Sequence, residues 1–173
     1  MEHELWLDHE PSLDEVVKSV DWSKKFKQYV FCGYGEPLLR LDLVIEVAKY
    51  LRNKFPSNDP NSPKIRVDTN GHANLFHGRN ILPELKGLID IMSISLNAEE
   101  AKAYDSICNS FFGLNAHQGV IDFIKEAKKY IPQVEASVVD LPQAIDIEKA
   151  RKIAEEIGVT FRIRPYYEDK YKK

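Results

Sequence analysis

The chain has 173 residues, of which 43% are hydrophobic and 29% charged, the profile of one globular domain long enough to bury a core. A formal net charge of −3 with no basic patch argues against a nucleic-acid-binding surface, and the closing Lys-Tyr-Lys-Lys reads as a solvated tail. No run approaches the length of a membrane span, and the acidic Met-Glu-His-Glu start resembles no secretory leader, so the expected location is cytoplasmic and Cys32 and Cys108 are expected as reduced thiols.

In chain order, Ser12 with Glu15 three residues later predicts a capped helix start. A strand is predicted over 29–33. A helix over 39–55 follows, with apolar residues at 41, 44, 45, 47, 48 and 51 forming one wide stripe. The polar, proline-rich run 55–63 reads as an exposed loop. Further strands are predicted over 64–69, 90–96, 134–140 and 160–164. Helices are predicted over 83–88, 99–108, 115–130 and 146–157, the last stopped by Gly158. No linker or repeat interrupts the series, so residues 1–173 are expected to form a single domain.

Alternating strands and helices predict an α/β fold with parallel strands and right-handed crossovers. The strands are not uniformly apolar, as they would be in a sheet covered on both faces. Arg66 and Asp68 oppose Ile65 and Val67. Ser93 and Ser95 oppose Met92, Ile94 and Leu96. Glu135 and Ser137 oppose Val134, Ala136 and Val138, and Arg162 and Arg164 oppose Phe161 and Ile163. One face therefore meets helices and the other lines a polar space. A partial (β/α) barrel of parallel strands fits this pattern; the alternative is a flat sheet with one solvated side. The polar face also predicts an ion network of Arg66, Asp68, Glu135, Arg162 and Arg164, serving either structure or ligand binding.

In such folds ligands bind at the C-terminal strand ends. Those ends read Gly33-Tyr34-Gly35-Glu36-Pro37, Asp68-Thr69-Asn70-Gly71, Ser95-Leu96-Asn97, Val139-Asp140 and Arg164-Pro165-Tyr166. Glycine permits close approach of a ligand to the backbone, and Pro37 suits the first turn of a helix. A dinucleotide fingerprint is rejected because Leu38 stands where its third glycine belongs.

Together these ends resemble the radical S-adenosylmethionine superfamily. Leu5-Trp6-Leu7, Glu10-Pro11-Ser12, Gly71-His72-Ala73-Asn74-Leu75, the run from Gly78 to Leu85 and Arg164-Pro165-Tyr166 are similar to its TatD-associated subgroup. The resemblance implies that Gly33, Gly35, Glu36 and Pro37 contact the methionine moiety of S-adenosylmethionine. It further implies that Asp68, Asn70, Ser95 and Asn97 reach the ribose or its surroundings, with Arg164 on adenine or carboxylate. The family's cluster motif, Cys-x-x-x-Cys-x-x-Cys, does not occur. The family barrel has six strand–helix units and carries that motif after its first strand, whereas five strands are predicted here. The expectation is a form lacking the first strand and cluster loop and incapable of radical chemistry as written, with the [4Fe–4S] cluster belonging to a longer form. In the family that cluster supplies the electron that cleaves the cofactor, and the resulting 5′-deoxyadenosyl radical abstracts hydrogen from a substrate. Alternatives are a degenerate S-adenosylmethionine- or nucleoside-binding module, or a scaffold pairing through a bare strand edge, for example as a dimer.

Asn74 and Arg79, in the loop after Thr-Asn-Gly, are candidates for substrate recognition, with loop-internal bonding the alternative for Asn74. No metal site is predicted. His72 and His77 lack an evident third ligand and read as hydrogen-bonding or surface residues. His3, His9 and His117 are expected on the surface, and both cysteines are read as structural, with Cys32 packed.

Overall fold

The computed structural model describes residues 8–33, 35–141 and 143–166. Five strands, Gln28–Phe31 (β1), Lys64–Thr69 (β2), Ile91–Ser95 (β3), Gln133–Val139 (β4) and Thr160–Arg164 (β5), form one sheet in the order β1-β2-β3-β4-β5. Every pairing is parallel. Sequential order is that of a (β/α) barrel; a doubly wound sheet would reverse direction partway. The helices are Leu13–Ser19 (α1), Leu41–Lys54 (α2), Ala73–His77 (α3), Leu82–Leu85 (α4), Ala101–Cys108 (α5), Asn115–Ala127 (α6) and Ile147–Ile157 (α7).

The core lies between one face of the sheet and these helices. Ile65 and Val67, Met92 and Ile94, and Val134, Ala136 and Val138 pack with Val44, Val47, Ala48 and Leu51 of α2 and Val120, Phe123 and Ile124 of α6. Burying each larger side chain contributes about 1.5–3 kcal/mol. The register sets Asp68 beside Ser93 and Ser93 beside Glu135 on the opposite, polar face. Arg66, Ser93, Glu135 and Ser137 on that face are nevertheless buried; Arg66 bonds Glu135, and the Ser137 hydroxyl donates to the Ile94 carbonyl at 3.5 Å.

Several elements differ from expectation for local reasons. β1 ends at Phe31, two residues early. The start of the second helix is a 3₁₀ turn, Pro37–Arg40, entered from Glu36 and led by a proline that has no N–H to leave unpaired. α3 was not foreseen, since five residues carry no readable period; it stops at Gly78, whose φ is 61°. His117 is 6% exposed and not a surface residue: it lies three residues before Val120 on the apolar stripe of α6, with Nε2 3.0 Å from the Ala98 carbonyl. Cys32 is exposed and not packed. It shares the polar face with Val30, itself 42% exposed. Leu5-Trp6-Leu7, His3, Tyr34 and the basic tail lie outside the described residues.

Gly71 closes the turn from β2 into α3 with φ 80°, and a Cβ there would stand 2.9 Å from Ile94 Cγ2 and 3.2 Å from Val120 Cγ1. Gly71→Ala therefore meets both backbone strain and backing core atoms. Urea unfolding should show a loss of about 1–3 kcal/mol relative to wild type.

Candidate functional site

The Glu36 carboxylate joins the ends of β1 and β2. Its Oε1 accepts hydrogen bonds from the Leu38 N–H at 3.1 Å and the Thr69 hydroxyl at 2.7 Å, and its Oε2 accepts from the Asn70 N–H at 2.7 Å. Burial nonetheless raises its pKa above the ordinary carboxylate value, outweighing these three bonds. The side chain is thus a strut of the rim, and Gly33, Gly35 and Glu36 line a cavity of about 520 Å³. A Cβ at Gly33 or Gly35 would meet no atom within 4 Å. Packing does not require glycine there, and the bare backbone faces open space.

From Asn70 the hydrogen bonds continue along the rim. Asn70 Oδ1 accepts from the His72 N–H at 2.9 Å, and His72 Nε2 is 3.0 Å from the Tyr104 hydroxyl. Tyr104 and Cys108 lie one turn apart on α5. Cys108 Sγ accepts from Asn97 Nδ2 at 3.3 Å, and Asn97 Oδ1 accepts from Arg164 at 3.3 Å. The same Arg164 nitrogen reaches Ser95 Oγ at 3.4 Å. Asn97 turns the chain out of β3 with φ 59°, a conformation asparagine tolerates. Burial lowers the pKa of His72 and keeps it neutral; burial, first, and Cys108 raise that of Tyr104 and keep it protonated.

Of the predicted site residues, the structure thus brings Ser95, Asn97 and Arg164 into one group and links Glu36 to Asn70. Arg164 Nε is buried without a partner among the described residues, a donor left for an acceptor on a ligand. Burial, followed by the neighbouring charge of Arg162, lowers the Arg164 pKa. Asp68 stands deeper on the polar face, 2.6 Å from Arg66 Nε. Asn74 Oδ1 accepts from the Ile81 N–H at 3.0 Å, and Arg79 pairs with Glu84. Both candidates for substrate recognition are held within their own loop, away from the Asn70–Asn97 rim. His77 Nε2 donates to the Leu38 carbonyl at 2.8 Å, apart from His72.

Sequence reasoning placed Thr69 on the rim without giving it a role, and it missed Tyr104 and Cys108. The i, i+4 spacing of Tyr104 and Cys108 was the available signal. It also expected one pocket where there are two. Asn70, His72, Asn97, Tyr104 and Cys108 line a second cavity of about 870 Å³, and among the described residues Leu39 alone lines both. Among the described residues no group of three or more His, Cys, Asp or Glu is placed to hold a metal. Cys32 and Cys108, on different elements, cannot supply three cluster thiolates, so the residues present do not fit an iron–sulfur cluster. The open backbone at Gly33 and Gly35 leaves room for an organic ligand.

The family model of the Radical SAM superfamily matches residues 3–146, and the chain belongs to that superfamily. It is 25% identical over 178 aligned residues to a protein of Methanocaldococcus jannaschii named as a glycyl-radical enzyme activating enzyme, covering 96% of this chain and 68% of that protein. It is 26% identical over 151 residues to the dual-specificity RNA methyltransferase RlmN of Buchnera aphidicola subsp. Schizaphis graminum, covering 84% of this chain and 38% of the relative. A crystal structure of a radical SAM methyltransferase from Sphaerobacter thermophilus superposes with a TM-score of 0.46 at 13% identity, covering 88% of this chain and 56% of that one. The family uses S-adenosylmethionine together with a [4Fe–4S] cluster. Among the described residues no helix is long and apolar enough to cross a membrane.

The polar face offers its own test. Arg66 bonds Glu135 Oε1 at 2.5 Å, and Arg162 approaches the same oxygen at 3.4 Å. Burial alone would raise the Glu135 pKa, but hydrogen bonds from Arg66, Ser93 and Arg162 outweigh it and the net shift is downward. Its stabilisation is therefore full above the ordinary glutamate pKa of about 4.3 and is lost as pH falls through the lower folded value. Arg66→Met leaves the carboxylate short of its main counter-charge and should cost about 3 kcal/mol at pH 7. In urea titrations the gap to wild type should narrow at pH 4, where the variant's carboxyl is protonated.

Proposed function

We propose that the chain is the S-adenosylmethionine-binding part of a radical S-adenosylmethionine enzyme, of the group associated with TatD-type hydrolases, and that residues 1–173 form a single partial-barrel domain. The subgroup reading rests on Gly71-His72-Ala73-Asn74-Leu75, the run from Gly78 to Leu85 and Arg164-Pro165-Tyr166. The observation that carries the cofactor reading is the division of labour at Glu36. Its carboxylate braces two strand ends while the adjoining glycine backbone stays open. On this reading Gly33, Gly35, Glu36 and Pro37 take the methionine end, Asn70, Ser95 and Asn97 the ribose region, and Arg164 an acceptor through its free Nε. Asp68 acts on that region by its charge, which Arg164 senses.

The cluster ligands are assigned to residues outside these 173, and the outer edge of β1, which pairs with no further strand among the described residues, to a preceding strand. The 173 residues alone then bind the cofactor without cleaving it. The absent thiolate triad equally supports a cofactor-binding module as a second reading.

Calorimetry on the purified chain should show saturable binding of S-adenosylmethionine. Glu36→Ala should weaken it about tenfold, equivalent to about 1.4 kcal/mol. No heat with wild type would overturn the cofactor assignment. Extending the chain through an in-frame upstream Cys-x-x-x-Cys-x-x-Cys and reconstituting it without oxygen should yield 5′-deoxyadenosine. Reading through to a stop codon with no such motif would leave the binding module.

A further inference from the structure

In a parallel sheet a crossover helix packs its apolar side on the two strands it joins. α1 precedes β1 and bears Leu13, Val16 and Val17, with Val20 as its C-cap, yet no residue of this helix is buried. Val16, Val17 and Val20 instead face an apolar cavity of about 130 Å³. Its far walls come from β1 and α2, and no charged residue lines it among the described residues. Tyr29, Val30 and Phe31 all touch this space. Side chains 29 and 31 point to the helix side of the sheet and side chain 30 to the polar side. A space that meets all three lies along the edge of the strand. None of its lining residues is among those given to the cofactor.

The backbone is open at the same place. The Lys64 N–H donates to the Lys27 carbonyl at 3.0 Å, so alternation turns the peptide groups of Tyr29 and Phe31 toward β2 and those of Gln28 and Val30 outward. β1 reads Gln-Tyr-Val-Phe and has none of the charges or prolines that blunt a permanent sheet edge. Water can satisfy the outward peptide groups, but an apolar cavity beneath them is filled only by an apolar group. An extended polypeptide supplies both at once, through its main chain and its alternate side chains. A cavity of about 150 Å³ lined by apolar side chains accepts a benzene ring. This one therefore has room for a single benzyl or isobutyl group.

We propose that the cavity is the socket for one large apolar side chain, of leucine or phenylalanine size, carried by a strand that adds to the outer edge of β1. The inference rests on the reading that a strand precedes β1, and it states what that strand carries. Its pairing is parallel, because α1 then forms a right-handed crossover from it into β1. Filling the socket also gives α1 the buried face it lacks.

Trp22 lines the cavity and reports its filling. Trp6→Phe leaves Trp22 as the single tryptophan of the two. In that background the probe is a capped peptide, Lys-Val-Thr-Phe-Thr-Val-Lys, followed by Trp22 fluorescence. A saturable blue shift is expected, with a dissociation constant below about 1 mM. Aspartate in place of the peptide's phenylalanine should weaken binding at least about tenfold, or about 1.4 kcal/mol. N-methylating the peptide at alternate residues blocks one of its two edges. Of the odd- and even-methylated peptides, one should bind like the parent and the other at least about tenfold more weakly. Val17→Phe fills the socket from the helix and should abolish the shift in a chain of unchanged circular dichroism. Absence of a saturable shift, equal binding of the aspartate peptide, equal binding of the two methylated peptides, or an undiminished shift with Val17→Phe would each overturn the proposal. Calorimetry with S-adenosylmethionine on the same preparation separates the two readings. A chain that binds the cofactor and not the peptide lacks the socket, and one that binds the peptide and not the cofactor retains it.

Discussion

The rim depends on one carboxylate. Glu36 takes three hydrogen bonds from two segments that follow different strands, and no other described contact ties the β1 loop to the end of β2 so directly. A half-exposed carboxylate would bond water equally well and fix nothing. Burial removes that competitor, and the raised pKa is the sign of what it costs. Fixing Asn70 fixes His72, and through Tyr104 and Cys108 the fixed geometry extends to Asn97 on the next strand. The glycines beside Glu36 are left free of packing because the carboxylate, and not their own side chains, holds the loop.

Below this rim the polar face solves a different problem. An open arc of parallel strands leaves one face without helices, and a bare apolar face would be exposed to water. Arg66, Asp68, Glu135 and Arg162 fill that face with charges that neutralise each other. The arrangement keeps the inner surface hydrophilic without leaving an unpaired buried ion. Asp68 takes part in that network through Oδ1, 2.6 Å from Arg66 Nε, while its side chain stays 44% exposed.

Much of this was legible in the chain. Two-residue alternation along 64–69, 90–96, 134–140 and 160–164 gave the two faces of the sheet, because side chains on a strand point alternately to opposite sides. Gly-x-Gly-Glu-Pro and Thr-Asn-Gly gave the rim, because turns at strand ends need residues of special conformation. What escaped was of two kinds. His117 was placed on the surface by residue type, although its spacing from Val120 put it inside. Tyr104 lies within α5 and Cys108 at its end, both apart in sequence from the strands they serve, so nothing local marks their contact with His72 and Asn97. The separation into two cavities depends on how Leu39 and the Phe111–Phe112 turn are placed in space, which no one-dimensional pattern encodes.

Arg164 passes over β4 to bond Ser95 and Asn97 at the end of β3, a span of roughly two strand spacings, about 10 Å. It acts as a chord across the arc of the sheet. The outermost strand is anchored at its top by a side chain as well as along its length by its neighbour, so the curvature of the opening is tied to the state of that guanidinium. Loss of that chord would leave the last strand held to the sheet by its backbone ladder to β4 and free its top to move away from β3.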